Sequence, residues 1–323
     1  MRTIAVVAGG NSPEYEVSVK SANEVRNVLS SRYEVYIVII KGTNWYWEDH
    51  KGRFHNIDKN DFTLKTDDLR IRFDAVFIAI HGTPGENGLL QGYFDMMEIP
   101  YTSCGSFSSA LTFNKQACKL YLKEYDIAMA DAILVRRGEM IDNGSIISSI
   151  GLPCFVKPND SGSSFGVTKV NKKEDLSAAI ETAFRESGEA LIEAFMQGRE
   201  VACGVLKTKN KKLILPVTES KTGNEFFDYE AKYTPGKSHE ITPADLSEKV
   251  TFAIQQLSSQ VYDLLGCKGI VRVDFIIVKD KPMFLEINTV PGMTSGSLIP
   301  KQAAAAGIAL DDLYSMVIED LFT

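Results

Sequence analysis

The sequence predicts an α/β protein, parallel in its N-terminal part and α+β in its C-terminal part. Two observations predict it. Over residues 1–103, apolar β-branched runs of strand length alternate with helical patterns, as parallel strands with crossover helices require. From residue 104 onward, several apolar runs lie close together, joined by short Gly/Ser-rich or charged turns, as in hairpins. At 323 residues the chain exceeds one typical domain, and two or three are expected.

Taken in order, residues 3–8 ("TIAVVA") read as a buried strand, and "GGNSPEYEVS" supplies a glycine turn and a Ser-Pro helix start. Val17, Ala22, Val25, Val28 and Leu29 then fall at helical spacing, through about Ser31. "YEVYIVII" and "FDAVFIAI" are strands separated by polar, turn-rich sequence, and this parallel layer ends near "MMEIPYTSCG". Ser106–Ile127 is helical. "IGLPCFVKPNDSGSSFGVTKV" reads as two strands around a Gly/Ser-rich loop, followed by a polar helix from Lys172 to Ser187. "ALIEAFM" and "EVACGVL" are expected to continue that sheet, with "KLILPVTES" after them. Residues 221–243 are polar, with Gly223, Pro235, Gly236 and Pro243, and are long enough to imply a functional loop. A helix from Leu246 to Leu265, the hairpin "RVDFIIVKDKPMFLEIN" and an Ala-rich helix complete the chain.

A hydrophobic fraction of 44% and a charged fraction of 24% are those of a soluble globular protein and exclude a fibre or a disordered chain. A net charge of -7 offers nucleic acid no broad attraction, although it leaves room for a local basic pocket. The five cysteines (Cys104, Cys118, Cys154, Cys203, Cys267) contain no CxxC and read as small buried hydrophobes in a reducing compartment. No basic-then-apolar signal pattern opens the sequence, and no apolar run reaches a membrane span, so a cytoplasmic protein without a membrane partner is expected.

The hairpin carries the sharpest chemical signal. Alternation puts Arg272, Asp274 and Ile276 on one face of its first strand, and Phe284, Glu286 and Asn288 on one face of its second. A three-residue loop over Lys279, Asp280 and Lys281 sets Asp274 opposite Glu286 and Arg272 opposite Asn288; a two-residue loop slips the register by one and separates the sets. The odd-length loop is the expectation adopted. Opposed carboxylates repel, and an all-oxygen donor set suits a hard divalent cation such as magnesium. The competing reading is a solvated polar face of an edge hairpin.

In "FVKPNDSGSSFGVTKV" a strand delivers Lys157 to a loop, Ser161–Gly166, whose backbone can approach an anion, unless it is an ordinary flexible hairpin tip. "TPGKS" (234–238) imitates a phosphate loop but has Ala231 where the first glycine belongs, and "VVAGGNS" lacks the G-x-G-x-x-G spacing. His81, in "HGTPGENG" after a strand end, is either a structural histidine bonded to backbone or a site residue. Glu193 and Glu200 suit an adenine amino group or ribose hydroxyls. Singly, these two, with Lys115, Lys232 and Tyr233, read no more strongly than exposed polar residues.

In order, "AGGNSPEYEVS", "HGTPGENGLLQG", "IPYTSCGSFSSALTFNK", "LPCFVKPNDSGSSFGV", "FFDYEAKY", "GCKGIVRVDF" and "LEINTVPGMTSGSLIP" resemble the ATP-grasp superfamily and, within it, the D-alanine–D-alanine ligases, over nearly the whole chain. The resemblance implies an ATP-grasp fold with ATP held between two sheets: an N-terminal substrate domain (1–103), a central subdomain (104–188) and a C-terminal subdomain with the metal and substrate site (189–323). It implies ATP- and magnesium-dependent joining of two D-alanines through a D-alanyl phosphate, for peptidoglycan synthesis. ATP is expected at Lys115, Lys157, Ser163 and Lys232, with Glu193 and the main chain of Phe195 and Met196 at adenine and Glu200 at ribose. Two magnesium ions, with manganese the alternative, are expected on Asp274, Glu286 and Asn288. Glu14 and His81 belong to the first D-alanine, and Ser297 with the Leu298 backbone to the second. Arg272 and the Gly292 N–H are typed for an oxyanion, and Glu14, Ser163 and Tyr233 for a closing contact. Relatives making esters with D-lactate usually carry phenylalanine at position 233, so an amide is expected. A homodimer is implied too. Asn87 and Asn159-Asp160 depart from the family pattern, at positions expected to be clear of the chemistry.

Three competing functions are weighed: a D-lactate- or D-serine-using relative, a catalytically silent nucleotide-binding module, and an oxidoreductase built on residues 1–100. The complete Lys157, Arg272, Asp274, Glu286 and Asn288 set opposes the second, and the missing glycine fingerprint opposes the third.

Overall fold

The structure, a computed structural model, describes residues 1–67, 69–222 and 238–323. Its N-terminal sheet contains β1 (Thr3–Gly9), β2 (Glu34–Lys41), β3 (Asn44–Glu48), β4 (Phe54–Asp58), β5 (Thr63–Lys65), β6 (Arg70–Ile71) and β7 (Ala75–Ile78), in the order β6-β5-β4-β3-β2-β1-β7. The β1 strand is parallel to both β2 and β7, with the helix Tyr15–Leu29 crossing from β1 to β2. The expected parallel layer is therefore only three of the seven strands of the sheet. Residues 44–71, read as polar connection, form four antiparallel strands. Their apolar contribution comes from Trp45, whose ring meets Phe62 and Tyr93, and Trp47, which meets Tyr36, rather than from an aliphatic run.

The second sheet contains β8 (Ala132–Arg136), β9 (Cys154–Pro158), β10 (Thr168–Val170) and β11 (Glu189–Ala194), in the order β10-β9-β11-β8. Ile146 and Leu176, Ile180 and Phe184 of the helices Asn143–Ile150 and Leu176–Glu186 pack with its buried strand residues. The third contains β12 (Arg199–Lys207), β13 (Lys212–Ile214), β14 (Thr218–Thr222), β15 (Ser238–Ile241), β16 (Ile270–Val278) and β17 (Lys281–Asn288), in the order β15-β14-β12-β16-β17, with β13 also on β12. Since β11 sits between β9 and β8, "ALIEAFM" and "EVACGVL" lie in different sheets, and the second sheet runs past the expected division at 188/189. Ile254 and Val261 of the helix Glu248–Leu264 pack with Val201, Val273, Phe275, Phe284 and Ile287 on one face of the third sheet, leaving the other face for chemistry.

The helical region after residue 105 is broken at Asn114, whose side chain caps the helix Lys115–Lys123 by accepting from Ala117 N at 2.9 Å. The C-terminal region is two helices, Leu298–Ala305 and Leu310–Asp320. All five cysteines are buried and free, as expected.

The β16–β17 hairpin corrects one expectation and keeps its consequence. Its loop is two residues long, Lys279 and Asp280, with φ of 48° and 63°, so Val278 pairs with Lys281. Continued regularly, that register would oppose Asp274 to Leu285. A bulge restores it: Phe275 pairs with Phe284, Leu285 is the extra residue, and Asp274 pairs with Glu286 and Arg272 with Asn288. The same bulge puts Phe284 in the core beside Phe275, on the face away from Glu286, where strict alternation had placed them together.

Candidate active site

Two adjoining hollows lie where the second and third sheets face each other and the N-terminal domain closes one end. The first, about 550 Å³, is walled by Phe155, Phe195, Met196, Ile276 and Leu285, with Lys115, Lys157, Ser163, Glu193, Glu200 and Glu286 supplying polar groups. The second, about 360 Å³, is lined by Glu14, His81, Arg272, Asp274, Asn288, Gly292, Ser297 and Leu298. Lys115, Ser161–Ser163, Glu200, Ser220 and Glu286 line both, so the hollows meet at one lysine, two carboxylates and a Gly/Ser loop. Sixteen of the eighteen expected site residues thus come together; Lys232 and Tyr233 lie outside the described residues.

Strand alternation explains the first wall. Lys157 on β9 and Glu193 on β11 reach a common interior point, joined by Lys119, one helical turn beyond Lys115. Glu193 receives Lys119 on one oxygen and Lys157 on the other, each at 2.5 Å, and all three are buried. Burial pushes the Glu193 carboxyl up, but the two lysines outweigh it and its pKa ends below the ordinary value. Burial holds Lys119 low against the pull of Glu193, and it also holds Lys115 low against the pull of Glu286. Sequence reasoning missed Lys119; its i, i+4 spacing from Lys115 was the available signal. It also treated Asn159 as clear of the chemistry. Asn159 is fully buried; its carbonyl accepts from the Lys115 amide at 2.9 Å and its side chain from the Gln116 amide at 2.9 Å, anchoring the helix that carries Lys115.

Ser161–Phe165 folds over the junction. Ser163, at φ 50°, donates to Glu14, and Gly162 is so close that an added Cβ would lie 2.7 Å from the Glu14 carboxylate. Lys115 donates to the Ser161 carbonyl. Glu14 itself stands at the start of the helix Tyr15–Leu29, carried there by the β1 turn.

His81 is buried, with Nδ1 donating to the Val290 carbonyl at 2.8 Å and Nε2 beside Ser21 Oγ at 3.2 Å. Burial lowers its pKa, which keeps the ring neutral. It therefore both lines the second hollow and ties the N-terminal domain to the loop after β17. Glu86, also missed, accepts from Gly82 N at 2.7 Å and Val290 N at 3.3 Å; burial and the nearby Glu14 push its pKa up to about 8. It lies in the same "HGTPGENG" that drew attention to His81.

On the hairpin, Arg272 clasps Asp274 with two bonds of 2.7 Å, and Asn288 donates to the same carboxylate at 3.1 Å. Asp274 is 6% exposed, which removes the solvated-face reading. Among the described residues no group of three His, Cys, Asp or Glu side chains surrounds a metal position. Two opposed carboxylates with an amide oxygen nevertheless fit magnesium, which commonly takes one or two carboxylates and leaves its other positions to water and phosphate. Gly292 touches Ser297: a Cβ there would lie 2.6 Å from Ser297 Oγ. Ser297 also meets Thr294 Oγ1 at 2.8 Å and begins the helix Leu298–Ala305.

Two family models match this chain, that of the D-ala D-ala ligase N-terminus over residues 3–104 and that of the D-ala D-ala ligase C-terminus over residues 121–319. A D-alanine–D-alanine ligase of Phocaeicola vulgatus is 50% identical, covering 99% of each chain. The crystal structure of D-alanyl-alanine synthetase A from Vibrio cholerae superposes with a TM-score of 0.88 at 30% identity, over 100% of this chain and 99% of that one. The D-alanine–D-alanine ligase from Bacillus anthracis complexed with ATP superposes with a TM-score of 0.80 at 29% identity, over 100% and 98%. Among the described residues no helix is long and apolar enough to cross a membrane.

Proposed function

The chain belongs to the D-alanine–D-alanine ligase family, and from that premise we propose how its two hollows divide the work of joining two D-alanines at the expense of ATP for peptidoglycan synthesis. The first hollow takes the nucleotide: adenine lies between Phe155, Phe195, Met196 and Leu285, with Glu200 at the ribose. Glu193 meets the base on one side and holds Lys157 in place on the other. The observation that carries this reading is the junction itself, where Lys115, the Ser161–Ser163 backbone and Glu286 line both hollows at once. A γ-phosphoryl group there faces an acceptor in the second hollow.

A carboxylate is a poor electrophile, so the first D-alanine is activated by phosphoryl transfer from ATP. Glu14 holds its ammonium, and Lys115 and Lys157, with Lys232 of the long polar loop, offset the moving negative charge. Asp274, Glu286 and Asn288 would hold magnesium, two ions with manganese as the alternative, and bound there it adds charge neutralisation at the phosphates. Ser297 and the Leu298 N–H receive the carboxylate of the second D-alanine, whose amine attacks the acyl phosphate and expels phosphate. Arg272 and the Gly292 N–H stabilise the oxyanion of that step. The contact of Ser163 with Glu14, completed by Tyr233, keeps water from the acyl phosphate.

The enzyme acts in the cytoplasm as a homodimer, which fractionation and sedimentation equilibrium test. Comparing ADP release with D-alanine, L-alanine, D-serine and D-lactate tests the assignment: release is fastest with D-alanine, and supplying D-lactate beside it at neutral pH yields mainly the dipeptide. A dominant depsipeptide would sink the amide reading.

A further inference from the structure

The helix that begins at Ser297 is fixed to the third sheet by one side chain. Gln302 is completely buried; its Nε2 donates to the Ala202 carbonyl and to Thr218 Oγ1, each at 3.0 Å, and its Oε1 accepts from the Gly204 amide at 2.9 Å. These groups lie on the edge of β12 where its neighbours change. β14 pairs with β12 only as far as Ala202, opposite Thr218, and β13 begins at Val205, opposite Ile214. Between them an acceptor and a donor of the β12 backbone face a gap in the ladder, and a buried backbone group left unpaired is costly. The Gln302 amide supplies one donor and one acceptor, as a strand residue would.

Close approach is built in. A Cβ on Gly204 would lie 2.7 Å from Gln302 Oε1 and 2.6 Å from Ile299 of the same helix. On the opposite edge of β12, Ala202 pairs with Asp274 and Gly204 with Arg272. The two β12 residues that Gln302 grips are therefore those that flank the reacting centre, and the helix it belongs to presents Ser297 and Leu298.

We propose that Gln302 is a positioning residue for the second D-alanine, setting the distance between the carboxylate subsite at Ser297–Leu298 and Arg272 by completing the interrupted β12 ladder; this rests on the assignment of that subsite made above. A helix is stiff along its hydrogen-bonded axis, so loosening Gln302 moves the subsite as a unit while leaving the nucleotide hollow and Glu14 alone. The two KM values for D-alanine separate under such a change. Misplacement of about 1 Å costs roughly a hundredfold in rate, and a partial shift is expected to raise the KM for the second D-alanine roughly tenfold.

The test is steady-state kinetics of Gln302→Met, resolving the KM for each D-alanine and for ATP, with Ser297→Ala run in parallel. The proposal expects the second D-alanine KM to rise about tenfold while the first D-alanine KM and the ATP KM stay within about twofold. Equal changes in all three constants, or none, would overturn it. Should Gln302→Met not fold, Thr218→Val decides, since it removes one of the amide's acceptors: a selective rise of a few-fold supports the proposal and an unchanged second KM refutes it. An unmoved second KM in Ser297→Ala means instead that the subsite assignment is wrong, and Gln302 falls with it; a rise there without one in the Gln302 variant defeats the Gln302 proposal alone.

Discussion

Replacing Glu193 by glutamine leaves two buried lysines facing a neutral amide. Each lysine now lies 2.5 Å from a carboxylate oxygen, and Glu193, Lys119 and Lys157 are 4%, 5% and 7% exposed. At an effective dielectric constant of about 20 each contact is worth roughly 6–7 kcal/mol before desolvation is counted. Desolvating three charges offsets much of that, and removing one partner of a buried pair costs about 3–5 kcal/mol, which is the loss expected for Glu193→Gln at pH 7. The loss should depend on pH with a definite sign. Burial already holds Lys119 low, and in the variant it falls further once the Glu193 charge is gone, so the penalty is full at neutral pH and shrinks as Lys119 deprotonates, recovering on the order of 1 kcal/mol by pH 9.5. Urea denaturation at pH 7 and pH 9.5, with ATP binding measured on the folded variant, reads both effects. A variant within about 1 kcal/mol of the parent at pH 7, or one whose deficit does not move with pH, would refute a charged buried triad.

Three further outcomes follow from the same structure. Glu286→Gln and Asp274→Ala should each abolish turnover and weaken manganese binding by at least tenfold, read by water-proton relaxation; unchanged turnover in Asp274→Ala would refute the metal assignment. Glu86 titrates near pH 8 when folded against 4.5 as the ordinary value, so between those limits the folded chain keeps a proton the unfolded chain has lost, and its contribution to stability falls as pH rises. In thermal scans the deficit of Glu86→Gln relative to the parent should therefore shrink from pH 5 to pH 9; a constant difference would contradict the raised pKa. Asp280→Gly should stabilise the chain by about 0.5–1 kcal/mol in chemical denaturation, because a residue with a side chain sits there at φ 63°; a loss of stability would contradict the two-residue turn.

Alternation and turn chemistry reached Arg272, Asp274, Glu286 and Asn288 on the hairpin and Lys157 with its Gly/Ser-rich loop, whereas Glu14, Ser297, Leu298 and the roles of Lys115, Glu193 and Glu200 came from the family resemblance. The hairpin shows both the reach and the limit of that logic. Asp274 does oppose Glu286, but through a two-residue turn and a bulge at Leu285 instead of the odd-length loop, and bulges have no counterpart in a period-two pattern. Lys119 was not legible because a lysine inside an amphipathic helix reads as solvated until the carboxylate that meets it, on a strand distant in sequence, is placed. Trp45 and Trp47 spread the apolar signal of residues 44–71 over too few positions to register as strands. β11 and β12 look continuous because they are neighbours in sequence, whereas pairing sends them to different sheets on either side of the first hollow.

The central claim, activation of one D-alanine as its acyl phosphate at the junction of the two hollows, is tested most directly by following carboxyl oxygen. With D-alanine carrying ¹⁸O in its carboxylate, each turnover should move one labelled oxygen into inorganic phosphate and leave its partner in the new peptide carbonyl. Dipeptide formed with unlabelled phosphate would contradict the account.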